Sequence, residues 1–369
     1  MFTEICRDEE WPDLKKILFL CRDRLQTNRA GDTIQIEQTK QALEQLNTTV
    51  DLLTTSQAEK PGAFVGRFYD GIHLFNLIPV EETWRQARIA ERLGIPFALS
   101  TIYWNIEEYL QKGGERSASA RIWWREAQTI RRLLADNAQI LLPNSLAEKE
   151  LLLKDFGEDL AWKMHIVPNA VDPTLSEISP ARFRTQFGVK RQFVLSVGRI
   201  VRRKNQLALI RALQSTNLQL ILIGPVNDAD YFRECQAEAG DKVRFIPELS
   251  AQMLASAYAA ARVHALVSWY DTPGLVSLEA ALMQCRIVTT DRGSTREYFG
   301  DDAFYCAPDS PESIKNAVLN AWKASASTNC QLRDKVIKKY SWQNSATATL
   351  KAYDHFEKAG VKTRLLEEG

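Results

Sequence analysis

The chain of 369 residues has no C-x-x-C pair among its six cysteines, at positions 6, 21, 235, 285, 306 and 330, and they show no regular spacing. That argues against a zinc site or a disulfide framework and fits free thiols in a reducing compartment. Charge of one sign is also missing: the net formal charge is +1, so no global field points to nucleic acid as a partner. No apolar run approaches the ~18 residues of a membrane span. A basic, apolar start is absent too, because Met1–Trp11 carries Glu4, Asp8, Glu9 and Glu10. A secretory signal needs the opposite pattern. The expected location is cytoplasmic, at most peripheral at the inner face of the plasma membrane. Histidine is scarce, and none of the four (His73, His165, His264, His355) pairs at metal-ligand spacing. No metal and no cofactor is expected.

What is present reads as a globular two-domain chain, with 45% apolar and 25% charged residues. Short apolar runs alternate with longer helical patterns. Lys16–Cys21, Val50–Leu53, Ile72–Phe75, Phe97–Ser100, Ile140–Leu142 and His165–Val167 read as strands. Thr33–Leu46, Glu82–Leu93, Ala118–Ala135 and Leu146–Phe156 read as helices between them. The pattern then restarts. Phe193–Val197, Leu218–Ile223, Val243–Phe245, Val263–Val267, Ile287–Thr289 and Ala303–Cys306 read as strands. Helices are expected from about Gln206 and near Asp230–Ala239, Ala251–Ala261, Leu275–Met283 and Pro311–Ala324. Such alternation predicts parallel sheets covered on both faces. The fold class is α/β: two Rossmann-like doubly wound domains facing across a cleft. The expected domains are 1–175, 181–340 and a C-terminal segment, 341–369, that crosses back to the first domain. The joint is read at the proline-bearing stretch Asp172–Pro180. Ligands of such sheets bind at the strand C-terminal ends, so chemistry is sought in the loops there.

Two constellations stand at such ends. Gly198-Arg199 follows a strand, and Lys204-Asn205 comes five residues later. Two cations on one loop can hold a diphosphate and stabilise the charge a departing nucleoside diphosphate gains. The bland alternative is a solvated basic loop, since Arg202 and Arg203 are basic too. The loop lacks G-x-G-x-x-G, which disfavours a nicotinamide site. Asp271 and Glu279 stand eight positions apart around Pro273-Gly274 and a helix start. Backbone amides at that start are a ready anion site. Asp271 could instead only cap the helix, and Glu279 could be a surface charge. Glu279, however, falls just beside the apolar face of Leu275, Leu278, Ala281 and Leu282, where a carboxylate needs a partner such as ribose hydroxyls.

The segments VGRIVRRKNQ (197–206), ILIGPVNDADY (221–231), VRFIPELS (243–250), YAAARVHALVSWYDTPGLVSLEAALMQC (258–285) and GSTREYFGDDAFYCAPDSPESI (293–314) resemble the donor domain of retaining glycosyltransferases of family 4, which have the GT-B fold. ILLPNSLAEKELLLKDFG (140–157) and HIVPNAVD (165–172) match the first half more loosely. The resemblance implies that Arg199 and Lys204 hold the donor diphosphate, that Asp271 contacts the transferred sugar and that Glu279 meets the nucleotide ribose. It further implies amides around Gly274, Leu275 and Val276 on phosphate and sugar, Glu248 and Leu249 framing the base, and Gly31 in the loop that closes over the phosphates.

Three departures stand out. The first acid of the family's E-x7-E pair is Asp here. Ala30-Gly31 replaces Gly-Gly. No histidine follows Phe97–Ser100; Thr101-Ile102-Tyr103-Trp104-Asn105 stands there instead. Tyr103 or Asn105 is a candidate replacement, and His73 and Asn169 are further acceptor-side candidates, His73 against the reading of a core histidine. Asp228-Ala229-Asp230 reads as a helix cap rather than a metal-diphosphate motif. Trp123-Trp124, among Arg116, Arg121, Arg125, Arg131 and Arg132, reads either as a membrane-docking face or as one packed tryptophan among solvated arginines.

The expected function is transfer of a sugar from a UDP-, GDP- or ADP-hexose to an acceptor hydroxyl, saccharide or lipid-linked, in cell-surface polysaccharide, lipopolysaccharide or glycolipid synthesis. The alternatives are a nucleotide-sugar epimerase on the same fold and a non-catalytic binder.

Overall fold

A computed structural model describes residues 16–25, 27, 31–112, 118–325 and 327–358. Met1–Trp11, Ala30 and Arg116, read above from sequence, lie outside the described residues.

The chain begins with β1 (Lys16–Cys21), α1 (Gly31–Glu44), β2 (Thr49–Thr54), α2 (Thr55–Ala58) and β3 (Gly71–Phe75). It continues through α3 (Val80–Leu93), β4 (Phe97–Ser100), α4 (Glu107–Lys112), α5 (Ala118–Asn137), β5 (Ile140–Leu142) and α6 (Leu146–Phe156). These strands form one parallel sheet in the order β2-β1-β3-β4-β5. Successive β1 side chains enter opposite layers, Leu18 and Leu20 on one face, Ile17 and Phe19 on the other, and all are fully buried. That two-sided burial is why the strand reads as an unbroken apolar run rather than an alternation.

The second sheet follows α7 (Ala181–Phe187). It is laid down by β6 (Val194–Val197), α8 (Gln206–Leu213), β7 (Leu220–Ile223), α9 (Ala229–Glu238), β8 (Val243–Ile246) and α10 (Ala251–Ala260). Then come β9 (Val263–Leu266), α11 (Leu275–Leu282), β10 (Arg286–Thr290), α12 (Thr295–Phe299), β11 (Ala303–Cys306), α13 (Pro311–Lys323), α14 (Ser327–Lys339) and α15 (Trp342–Lys358). The order is β11-β10-β9-β6-β7-β8, again parallel throughout.

His165–Val167 is a correction. It is no strand: one bridge, Leu141–Met164, and two amides, His165 to Leu141 O and Val167 to Pro143 O, run it beside β5. Pro168, lacking an N–H, cannot extend that pairing.

Helix α15 lies on α1 and β5 of the first sheet. The Phe356 ring occupies the space that a Cβ on Gly71 would need. Residues of the first domain also meet the second directly. The Glu297 carboxylate accepts from the amides of Leu146 and Ala147 at 3.0 and 3.1 Å, capping α6 from across the joint. The Tyr298 hydroxyl donates to Asn144 O at 2.7 Å and accepts from the Asn169 amide at 2.8 Å.

Candidate functional site

The loop after β6 carries the cations. Asn205 takes the left-handed conformation, with φ 62°, a region asparagine enters more readily than most residues. Its amide donates to Val267 O at 3.1 Å and Pro308 O at 2.7 Å, tying this loop to the ends of β9 and β11. Lys204 is thereby set against Asp271, and its ammonium donates to both carboxylate oxygens at 2.7 and 2.9 Å. Only 10% of the Lys204 side chain and 15% of Asp271 are exposed, so the pair is largely withdrawn from water. Burial pulls the Lys204 ammonium down to about 8, although Asp271 opposes the fall. Burial alone would raise Asp271, but the charges of Lys204 and Arg203 outweigh it and hold the carboxyl below its ordinary value.

Arg199 differs from these. It is half-buried, and among the described residues no acceptor or carboxylate bonds its guanidinium. Burial lowers its pKa, and the neighbouring charges of Arg203 and Arg22 push the same way against Asp32 and Asp271. A desolvated cation without a counter-ion is costly unless a ligand supplies the anion.

Asp271 leads into α11. Gly274 sits before the helix with φ 90°, and a Cβ there would come within 2.6 Å of the Leu266 side chain, so the turn requires glycine. Leu275 and Val276 furnish the first amides of α11, which no carbonyl of their own helix can satisfy. Glu279, one turn further, accepts from the Tyr258 hydroxyl at 3.0 Å. Burial pushes its carboxyl up to about 7, against that hydrogen bond. Lys204 and Asp271, with Arg199 near them, therefore stand at the C-terminal ends of β6 and β9, and Gly274, Leu275, Val276 and Glu279 follow on the turn and helix that Asp271 leads into. Glu248 (exposed) and Leu249 (half-buried) follow β8, two strands away in the same sheet. Gly31 opens α1 at the end of β1, and a Cβ there would touch nothing.

Two acceptor-side candidates lie in the core, His73 as its alternative reading has it and Tyr103 as a correction. His73 is 1% exposed, bonded at Nδ1 to the Tyr353 hydroxyl (2.6 Å) and at Nε2 to Ser100 Oγ (2.8 Å), and stacked on Phe75. It is a satisfied core histidine, and burial lowers it to about 3. Tyr103 is fully buried between Trp124 and Phe156, with its hydroxyl donating to Asp155 at 2.7 Å. Asn105 is half-buried with both amide atoms engaged: Nδ2 donates to Asp155 at 2.9 Å and Oδ1 accepts from the Glu107 amide at 3.0 Å. Asn169 donates to Thr272 O at 2.7 Å, next to Asp271, while its buried Oδ1 meets no partner among the described residues. Of the two readings of the tryptophan pair, the structure fits the packed one. Trp124 is 3% exposed, and Trp123 is half-buried and donates to Glu81 at 2.6 Å. Asp228 caps α9 through the Tyr231 amide.

Sequence reasoning missed Arg203 and Tyr258. Arg203 donates to Tyr270 O at 3.2 Å and lies 5.1 Å above that ring. It was in view as the third base of one run, yet only packing separates it from Arg202, which pairs outward with Glu234. Among the described residues no group of three or more His, Cys, Asp or Glu could hold a metal ion. No described helix is long and apolar enough to cross a membrane.

Residues 178–339, which carry every one of these second-domain groups, match the family described as Glycosyl transferases group 1. The second half of this chain is a glycosyl transferases group 1 domain. The chain is 28% identical over 232 residues to an uncharacterized glycosyltransferase of Methanocaldococcus jannaschii, covering 58% of this chain and 59% of that protein. It is also 28% identical over 225 residues to the N-acetylgalactosamine-N,N'-diacetylbacillosaminyl-diphospho-undecaprenol 4-alpha-N-acetylgalactosaminyltransferase of Campylobacter jejuni, covering 60% of this chain and 58% of that one. The chain thus spans under two thirds of the length of these curated relatives. Whole-chain likeness is structural. Sucrose-phosphate synthase from Thermosynechococcus elongatus superimposes with a TM-score of 0.76 at 18% identity, over 94% of this chain and all of that one. Anabaena HepE in complex with UDP and glucose gives 0.74 at 18%, over 92% and 99%. The architecture is the two-domain GT-B fold.

Proposed function

We propose that the protein is a retaining, metal-independent hexosyltransferase that moves a sugar from a nucleotide-sugar donor to an acceptor hydroxyl. The observation that supports this reading is the half-buried Arg199 guanidinium, unpaired among the described residues, on the loop that carries Lys204, with the first amides of α11 at the neighbouring strand end. Cations and helix dipole converge where a diphosphate would sit, and they are worth most when its charge grows on leaving. Asp271 faces the sugar and Glu279 the ribose. The donor's C1–O bond breaks, C1 bonds to the acceptor oxygen from the same face, and the acceptor's proton passes to the departing phosphate oxygen. Three fixed cations (Arg199, Arg203, Lys204) supply the charge a metal would otherwise provide, so chelators should leave turnover unchanged.

The Campylobacter relative's name includes a diphospho-undecaprenol-linked saccharide. Together with the group 1 membership, it supports a saccharide or polyprenyl-linked acceptor and a role in cell-surface glycan assembly.

The test is thermal shift and turnover with UDP-, GDP- and ADP-sugars. One donor family should raise the melting temperature, and Lys204→Ala should abolish the shift while remaining folded. Binding should also weaken above pH 8, where the Lys204 ammonium, pulled down to about 8 in the free protein, is lost. No shift with any nucleoside diphosphate, or full turnover in Lys204→Ala, would refute the donor site.

A further inference from the structure

Helix α4 of the first domain touches the second at three places. Glu108 pairs with both ends of the Arg292 guanidinium, at 2.8 and 2.9 Å. Lys112 lies 3.7 Å from Asp309. Tyr109, 8% exposed, places its ring 5.7 Å from Tyr270 and 6.2 Å from Trp269.

The Glu108 and Tyr109 partners bracket Asp271. Trp269 and Tyr270 precede it directly, and Tyr270 in turn carries Arg203 on its ring and carbonyl. On the other side, Arg292 is followed by Gly293, whose φ is 68°. Gly293 lies so close to the Asp271 carbonyl that no side chain could fit between them.

Helix α4 is itself held rigidly from behind. Asn105 caps it, and the turn before it contains Ile102 at φ 42°, a strained value for a β-branched residue. Glu148, fully buried, fixes that turn by accepting from the Tyr103 amide at 2.6 Å and from the Thr101 hydroxyl. Strain maintained by a buried carboxylate marks a conformation the fold enforces rather than one the loop prefers.

We propose that Glu108 and Tyr109 are positioning residues, which set Asp271 from the opposite domain, so that the acid facing the sugar takes its working place only when α4 is seated. The inference rests on the donor-site reading above. Two features separate it from mere adhesion between domains. The contacts fall on the side chains of residues that flank or adjoin one acid, and the Arg292 ion pair is bidentate, which fixes orientation as well as distance. Its charges are mutually held, Glu108 lowered chiefly by its bond to Arg292 and Arg292 raised by the same bond.

The test compares Glu108→Ala, Tyr109→Ala, Arg292→Ala and the swapped pair Glu108→Arg/Arg292→Glu with the full chain. UDP, GDP and ADP serve as the binding probes, turnover of the active donor as the kinetic one, and hydrogen exchange at amides 269–274 as the structural one. The single variants should keep their affinity for the nucleoside diphosphate. Their kcat should fall roughly 10- to 100-fold, the loss expected from a small misplacement of a reacting group. Exchange at 269–274 should quicken, and the swapped pair should recover most of both losses. Wild-type kcat with unchanged exchange overturns the inference, as does a parallel loss of diphosphate binding, which would indicate general loosening. Should the wild type bind no nucleoside diphosphate, the donor reading falls, yet the exchange measurement still decides the positioning claim. Unchanged exchange in Glu108→Ala then overturns it by itself.

Discussion

Glu279 holds its proton to about 7 in the folded protein against an ordinary 4.5, because burial penalises the carboxylate. A folded-state pKa raised above the unfolded one means that folding takes up a proton between those values. Stability contributed by this group is therefore full below the unfolded value and is lost as pH rises through the folded one. Glu279→Gln removes that loss. The variant should be more stable than wild type at pH 8, by up to about 3 kcal/mol, with the difference fading by about pH 4. Urea unfolding at both pH values checks it, and parallel curves would mean the carboxylate is not destabilised. The same residue shows what a sequence conveys. The places of Arg199, Lys204, Asp271 and Glu279 in the fold were legible because each falls at a fixed offset from a strand or turn. For His73 the sequence left a core and an acceptor-side reading both open, and for Tyr103 it suggested only the acceptor side, because a strand pattern cannot say what covers the strand's end. The Tyr353 hydroxyl that satisfies His73 lies 280 residues along the chain.

At the scale of elements, α5 looks from sequence like a basic surface with two tryptophans. Packing turned it inward at one residue. Arg131 is fully buried, donates to Leu77 O (2.7 Å), Ile78 O (2.9 Å) and Trp124 O (3.3 Å), and lies 4.0 Å above the Trp124 ring. The carbonyls fix α5 to the end of β3 and the start of α3. Arg131→Met keeps bulk but strands those acceptors, and each unsatisfied buried group costs about 1–3 kcal/mol. Chemical denaturation should show a loss of about 3 kcal/mol or more, and a loss below 1 kcal/mol would mean water replaces the guanidinium. Helical period alone could not separate Arg131 from its exposed neighbours Arg121 and Arg125. Helix α14 went unread for the opposite reason. Its sequence is largely polar: among its described side chains Leu332 and Val336 enter the second core, with Ile337 packed against it.

For the molecule as a whole, the joint between domains carries many polar contacts besides the aromatic one of Tyr109 with Trp269 and Tyr270. Glu297 caps α6, Tyr298 bridges Asn144 and Asn169, and Ser145 meets Ser294 at 2.7 Å. Hydrogen-bonded joints of this kind tolerate relative domain motion better than large apolar ones. Glu297→Ala removes the carboxylate from the α6 N-terminus while Ser145 still caps it, and should weaken docking by about 1 kcal/mol, the upper worth of an anion at an exposed helix start. Small-angle scattering should register a more open average shape, whereas an unchanged profile would place the docking energy elsewhere.

Helix α15 carries a different consequence. By closing over α1 and β5 it makes the first domain discontinuous in sequence, with the second domain inserted within it. On a ribosome, residues 16–156 emerge with one face of their sheet still lacking Trp342, Tyr353 and Phe356, which belong to its core. The second sheet, local in sequence, has no such wait. Domains generally fold as units as they appear, yet here the half synthesised first is the half completed last.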